Sequence, residues 1–446
     1  MMNHPQTPPF LPQELLDALP EATLNNGRMG LRWRDLELSS VFQPIVSFCH
    51  SRVIGHEGLV RVHDKTGTTI SPLDFFKMAE AANELLAADR DCRLMHAWNA
   101  RNSSGYIFFN LHPAMFGRLD PDNSRHIVTT LTTALGAEPH RAMIEVVEEA
   151  VTDLVRLEEG AAALRALGVG LALDDFGAGH SNFDRVWRIQ PDVVKLDRSF
   201  ALRIVHDQSA RRMLPRLVSM LHETGALVLL EGVETLEQAL IAMDADIDFG
   251  QGWFFARPSI DPLSDSEPIR PALESLWERY QQFNAEQRQV HHERIAPYLN
   301  AIGYASALLS SGNRVEDVAP AFFDSLPAAE CFYLLDADGR QVGVNVSSGS
   351  QRGKQVLREL GAMPGARWSC RSYFRRAMQH PGKPQVTRPY VSMSSGKTCL
   401  TVSAHVRIHG ADHVICGDVD WELLMGDRNE LPHQQSSAQE AAQRRR

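Results

Sequence analysis

Asp174 and Asp175 close an apolar run and lead into Phe176-Gly177-Ala178-Gly179-His180. Two adjacent carboxylates are costly to desolvate unless something positive sits between them, and a divalent cation is the usual solution. Gly177 and Gly179 let the backbone turn sharply just past the acids. The segment therefore points to a two-metal site at the carboxyl end of a strand. Glu57, Asn110, Glu145, Lys195, Glu231 and Gln251 each fall within or at the end of a different apolar run. Any one of them alone reads as a hydrogen-bonded core residue. Together with Asp174 they form a set too regular for that reading, and it should converge on one mouth.

The elements that must position this set are eight strand-like runs. They are Val41–Val46, Val53–Val60, Tyr106–Leu111, Met143–Val147, Val169–Leu173, Val193–Leu196, Ala226–Leu230 and Ile247–Phe255. Helical patterns such as Pro72–Arg101, Asp153–Leu167 and Ser199–Thr224 lie between most of them. Eight β/α alternations predict a closed parallel (β/α)8 barrel, whose active sites sit at the C-terminal ends of the strands. An open doubly wound sheet usually has fewer strands and a glycine-rich nucleotide turn after the first, and no G-x-G-x-x-G follows the first run here.

The 446 residues are enough for two or three domains. A net charge of −10 argues against general affinity for a nucleic-acid backbone. The six cysteines form no C-x-x-C pair, which speaks against structural zinc and fits reduced thiols in a cytoplasmic protein. No apolar stretch reaches the length of a membrane span and no signal peptide is visible.

Residues 1–38 read as a loosely attached leader, 39–262 as the barrel and 263–300 as a helical linker. On that linker Leu273, Leu276, Tyr280, Phe283 and Val290 keep a 3–4 spacing, with Gln287 in register between the last two. This suits a short coiled coil, and hence a homodimer, as well as it suits a helix packed on its own barrel. Residues 301–426 read as an α+β domain of sensor size, with an Asp-Gly turn at Asp338-Gly339, a helix over Ser369–His380 and strands over Thr387–Val391, Cys399–Ile408 and His413–Val419. Residues 427–446 read as a disordered tail.

Ordered segments along the chain resemble a known family. They are Phe42-Gln43-Pro44-Ile45-Val46, His56-Glu57-Gly58-Leu59-Val60-Arg61, Asp174-Asp175-Phe176-Gly177-Ala178-Gly179, Val194-Lys195-Leu196-Asp197-Arg198-Ser199-Phe200, Glu231-Gly232-Val233-Glu234-Thr235 and Gly250-Gln251-Gly252-Trp253-Phe254-Phe255-Ala256-Arg257-Pro258. In this order they look like the motif set of EAL-domain cyclic di-GMP phosphodiesterases, over about residues 39–262. The C-terminal part looks like the PAS/Cache-like sensor that follows the barrel in some relatives.

The resemblance implies a barrel that cleaves cyclic di-GMP to linear pGpG with two Mg²⁺ or Mn²⁺ ions. It implies metal ligation by Glu57, Asn110, Glu145, Asp174, Asp175 and Glu231, with Asp174 bridging. Lys195 would contact the attacking water, and Gln251 a water or phosphate oxygen. Arg61 would meet a ligand phosphate, and Gln43 and Asp197 would lie against substrate. Glu148 would order the loop after Asp175, and Glu234 would support the cluster, although a helix-cap role suits either. Two cations aligning nucleophile and leaving oxygen are what phosphodiester cleavage requires. A solvated surface lysine is the plain alternative for Lys195.

Several positions depart from the family pattern. Gly58 replaces the alanine of Glu-Ala-Leu, Ala178 and His180 replace the common Thr and Tyr, and Val147 replaces Thr. None removes a ligand. The competing reading is a catalytically weak receptor that captures cyclic di-GMP without useful turnover. In the second domain, Arg371, Tyr373, Tyr390 and Asp418 are the candidate residues for an unknown small-molecule signal.

Overall fold

The computed structural model describes residues 19, 21–116, 119–147, 154–178, 183–263, 267–324, 326–347, 365–392 and 395–425. The chain divides into two compact units, Met1–Gln281 and Gln282–Arg446.

The first unit is built on strands β1 (Ala22–Asn25), β2 (Arg28–Trp33), β3 (Leu36–Ser47), β4 (Arg52–Asp64), β5 (Thr69–Ile70), β6 (Tyr106–Leu111), β7 (Ala142–Val147), β8 (Gly170–Phe176), β9 (Val193–Leu196), β10 (Leu227–Leu230) and β11 (Phe249–Gly250). Eight of them close a ring in the order β3-β11-β10-β9-β8-β7-β6-β4, with β4 pairing back to β3. The ring is a TIM-like barrel, but its first stave runs backwards. β3 is antiparallel to both β4 and β11, whereas the pairs from β4–β6 to β10–β11 are parallel. The eight-parallel expectation is corrected here. Residues 48–51 alone join β3 to β4, and a parallel crossover needs a dozen residues or more. The run expected at Ile247–Phe255 is paired only at Phe249–Gly250, because the chain turns at Gly252.

The leader reading of residues 1–38 is corrected for its second half. β1 and β2 extend the barrel sheet from β3, which itself starts at Leu36. Met29, Leu31, Leu36 and Leu38 are buried in the barrel core. Alternate residues of this short polar stretch face inward, which a composition argument does not register.

Local chemistry starts and stops the helices. Ser71 caps Pro72–Ala81 by accepting from Asp74 N, with proline at the first position. Asp120 caps Pro121–Leu135, which ends on left-handed Gly136. Thr235 and Gln238 form a capping box on Leu236–Asp244. Two expected helices are each split in two. Pro72–Arg101 breaks before Leu85–Ala100 at left-handed Asn83, and Ser199–Thr224 breaks at Asp207, whose side chain caps Gln208–Glu223.

The linker is longer than expected, a single helix over Arg270–Ser310. Leu273 and Leu276 belong to the first unit's core, with Tyr280 packed against it, while Val290 is exposed. For that stretch the helix packs on its own barrel. Ile295, Tyr298, Ile302, Ala305 and Leu309 belong to the core of the second unit, so that domain begins before residue 301.

The second unit has strands β12 (Ala329–Asp336), β13 (Gln341–Ser347), β14 (Gln385–Val386), β15 (Tyr390–Val391), β16 (Thr398–Ile408) and β17 (Ala411–Asp420). They form an antiparallel sheet in the order β13-β12-β17-β16-β14, with β15 also on β16. The hairpin turn after Asp336 uses left-handed Gly339, where a Cβ would lie 2.6 Å from Ser369 N. The single strand expected over Thr387–Val391 is two short pairings, interrupted where Pro389 lacks a ladder donor. The tail expected over 427–446 lies outside the described residues.

Candidate functional site

The polar residues met in the sequence do converge. The carboxylates of Glu57 on β4, Glu145 on β7, Asp174 on β8 and Glu231 just past β10 surround the ammonium of Lys195 on β9. Lys195 Nζ lies 2.7 Å from Glu145 Oε1, 2.7 Å from Glu231 Oε1, 3.0 Å from Asp174 Oδ1 and 3.7 Å from Glu57 Oε2. Lys195 is completely buried, so the surface-lysine alternative is excluded. Two amides hold Glu57 from either side: Asn110 Nδ2 donates to Oε1 at 3.1 Å and Gln251 Nε2 to Oε2 at 2.7 Å. Gln43, paired with Glu57 across β3 and β4, accepts from Gln251 Nε2 at 3.5 Å.

Adjacent residues of a regular strand point to opposite faces, yet Asp174 and Asp175 both bring a carboxylate oxygen to this cluster. The reason is a break in β8. Asp175 is left-handed, with φ 56°, and the pairing of β8 with β9 shifts register between Leu173 and Phe176. Oxygens of Asp174, Asp175 and Glu231 thereby lie within 4.8 Å of one another. Gly177 follows with φ 92°, and a Cβ there would strike the Phe200 ring at 2.2 Å.

Burial raises the Glu145 carboxyl well above its ordinary range, and the neighbouring Glu57 charge adds to this. Burial also lifts Glu231 to about 8 against the pull of Lys195. Asp175 is lifted to about 6 by burial and by Asp174. Burial acts in the same direction on Glu57, but Lys195 and the two amide donors outweigh it and hold that group low. Lys195 itself stays charged: its burial is overcome by Asp174, Glu145, Glu231 and Glu57.

The donor set suits a hard divalent cation. It is all oxygen, with carboxylates outnumbering the one ammonium. Both Glu145 oxygens and Asp174 Oδ1 are buried without an aligned hydrogen-bond donor among the described residues, despite their closeness to Lys195.

Beside Glu57 and Asn110 opens a cavity of ≈ 320 Å³, lined by Arg61, Phe76, His96 and His112 among others. Arg61 is half-buried and interacts with the Glu57 charge. Phe76 and His112 are ring neighbours, with centroids 6.1 Å apart. Neither carries a signal in its local sequence, since only the fold brings them to the site. His96 accounts for one departure from the family pattern. A Cβ on residue 58 would lie 3.0 Å from His96 Cβ, so Gly58 fits where alanine would be tight.

Two expected residues have other partners. Asp197 Oδ1 accepts from Ser199 N at 2.9 Å and caps Arg198–His206. Glu234 lies 3.8 Å from Arg198 Nη2. Glu148 and His180 lie outside the described residues. In the second unit, Asp418 Oδ1 accepts from Thr401 Oγ1 at 2.7 Å and from Tyr333 OH at 3.2 Å, and Tyr390 OH lies 2.6 Å from Thr401 Oγ1. Tyr373 stacks on Tyr390 with centroids 6.4 Å apart. Tyr333 and Thr401 are the members of this network that sequence reasoning missed. Among the described residues no helix is long and apolar enough to cross a membrane.

A mixed eight-strand barrel whose mouth gathers carboxylates from separate strands around one buried lysine is the class of fold and site that the chain presents. Residues 28–258 match the EAL domain, and the chain belongs to that family. An uncharacterized protein of Azorhizobium caulinodans is 32% identical over 235 residues, 50% of this chain and 32% of that one. The cyclic di-GMP phosphodiesterase RocR of Pseudomonas aeruginosa is 28% identical over 231 residues, 50% of this chain and 57% of its own length. The chain thus spans less than two thirds of either relative. The Bacillus subtilis YkuI protein, described with an EAL domain in complex with substrate c-di-GMP and calcium, superposes with a TM-score of 0.72 at 22% identity. The likeness covers 86% of this chain and 96% of that one, so the shared fold extends beyond the barrel.

Proposed function

We propose that the barrel hydrolyses cyclic di-GMP to linear pGpG, using two Mg²⁺ or Mn²⁺ ions held by Glu57, Asn110, Glu145, Asp174, Asp175 and Glu231. The observation that carries this reading is the convergence of four carboxylates on buried Lys195, with oxygens left short of donors. The name of RocR supports the substrate. Such cations, when bound, polarise the phosphoryl oxygen and lower the pKa of an attacking water.

The chain's own residues do the rest. Asn110 and Gln251 fix the Glu57 carboxylate through their amide N–H groups, which leaves the Asn110 carbonyl oxygen to serve as a ligand. Lys195, held positive among its acids, stabilises negative charge on the attacking oxygen. Arg61 meets a substrate phosphate from the rim of the cavity, whose Phe76–His112 wall suits a purine. Gln43 orients Gln251, and Asp197, anchored through one oxygen, offers the other to a substrate donor. Glu234, beside Arg198, supports the cluster, and Glu148 has the role of ordering the loop after Asp175.

The C-terminal domain senses a small-molecule signal through the Arg371, Tyr373, Tyr390 and Asp418 region and regulates a cytoplasmic homodimer. The test is an assay of the purified full chain with Mn²⁺ or Mg²⁺, following pGpG by chromatography. Turnover is expected, with loss in chelator and loss of at least ~10²-fold in Glu57→Ala. Tight binding of cyclic di-GMP with no pGpG in a single-turnover experiment would establish the receptor reading instead.

A further inference from the structure

Trp253 takes no part in the scheme above, yet it lies two residues past Gln251, whose amide holds Glu57. The turn carrying it is stitched to the neighbouring Glu231 segment. Val233 N donates to Gln251 O at 3.0 Å, and Phe254 N donates to Val233 O at 3.0 Å. Gly252 makes this approach possible, because a Cβ there would lie 2.1 Å from Val233 O. An indole on so constrained a turn would ordinarily be packed away, and Phe255 from the same turn is. Trp253 is instead 52% exposed. Its one ring partner among the described residues is the Arg257 guanidinium, 4.2 Å from the ring centroid. Arg198, 62% exposed, stands against the adjoining segment, where a Cβ on Gly232 would touch Arg198 Cβ at 2.4 Å. The rim next to Glu231 and Gln251 therefore offers a rigidly mounted aromatic face with guanidinium groups beside it. This surface suits a purine carried on an anionic backbone.

We infer that Trp253 is a stacking platform for one guanine base of the substrate, and that Arg257 is the positioning residue that sets the indole's tilt. The inference rests on the phosphodiesterase reading and adds a specificity determinant to it. Stacking on the indole binds the base but does not touch the reacting phosphate. Loss of the ring should therefore appear in KM and spare kcat.

The experiment compares wild type, Trp253→Ala, Trp253→Phe and Arg257→Lys in the full chain with Mn²⁺ on two substrates. One is cyclic di-GMP and the other is bis(p-nitrophenyl) phosphate, a phosphodiester without a base. Trp253→Ala should raise KM for cyclic di-GMP about 5- to 150-fold and leave hydrolysis of the nitrophenyl ester within about twofold. Trp253→Phe should recover most of the loss, and Arg257→Lys should fall between. Tryptophan fluorescence should be quenched by cyclic di-GMP with Ca²⁺ in wild type, and less so in Trp253→Phe. Equal KM values for wild type and Trp253→Ala on cyclic di-GMP overturn the inference, and so does an equal loss on both substrates. Absence of cyclic di-GMP hydrolysis by wild type counts against the phosphodiesterase reading itself; unchanged quenching in Trp253→Phe would then reject the platform separately.

Discussion

Lys195→Met keeps the stem of the side chain and removes the ammonium that Glu57, Glu145, Asp174 and Glu231 share. Breaking a buried ion pair by removing one partner costs about 3–5 kcal/mol, because the remaining charge is left uncompensated. The upper part of that range applies here, since Glu145 has no exposure and Glu57 and Asp174 have little. At ~2–4 °C per kcal/mol for a domain of this size, a cost of about 4–5 kcal/mol should make the barrel melt about 8–20 °C lower in chelator near pH 8. The pH dependence has a definite sign. Glu145 and Glu231 are raised in the folded state, the latter to about 8. An acid raised on folding binds its proton more tightly in the folded chain, so stability is lost as pH climbs from the unfolded pKa towards the folded one. Lys195 opposes both shifts, and its removal drives them further up. The deficit of the variant is therefore greatest near pH 8 and shrinks towards about pH 5. Added Mn²⁺ should restore part of it by replacing the missing charge. Scanning fluorimetry across pH, in chelator and in Mn²⁺, reads every part of this. A variant melting within about 2 °C of wild type in chelator near pH 8 would refute the premise that one ammonium holds these acids together.

Gly58→Ala forces a Cβ to 3.0 Å from His96 Cβ; a cost of about 1 kcal/mol in urea unfolding is expected, with turnover nearly unchanged, and an unaltered midpoint would mean that His96 yields freely. In the second unit, burial lifts Asp418 to about 7 against its hydrogen bonds, so the wild type loses stability as pH rises from about 4 to 7. Asp418→Asn keeps an acceptor for Thr401 and Tyr333 but cannot ionise, and should flatten that profile by roughly 2–4 kcal/mol at the alkaline end. An unchanged slope in pH-resolved denaturation would count against the buried carboxylate as its source. Cys49 and Cys370 are exposed, while Cys92, Cys331, Cys399 and Cys416 are buried. Burial also pushes the last four thiols up. Ellman's reagent should therefore titrate two thiols quickly in the native protein and the remainder only on unfolding.

Much of the site was legible because a barrel turns sequence order into spatial order. Once polar residues recur at the ends of successive apolar runs, closure brings them together, and Glu57, Asn110, Glu145, Asp174, Lys195, Glu231 and Gln251 follow that rule. Phe76, His96, His112, Tyr333 and Thr401 did not stand out, because their meaning lies in contacts across sequence distance. The leader misled for a related reason. Met29, Leu31, Leu36 and Leu38 alternate inward in a stretch that is too short and too polar to be recognised by composition.

The linear chain determined which residue types were available and in what order along the staves, since local pattern and turn chemistry decide where strands end. Tertiary structure alone decided three further things. A short hairpin reversed β3, because four residues cannot return a chain to run parallel. The register break at left-handed Asp175 turned two neighbouring carboxylates to one side. Closure of the ring then buried Lys195 among acids from other strands and shifted their proton affinities, because charge and desolvation act through space and not along the backbone.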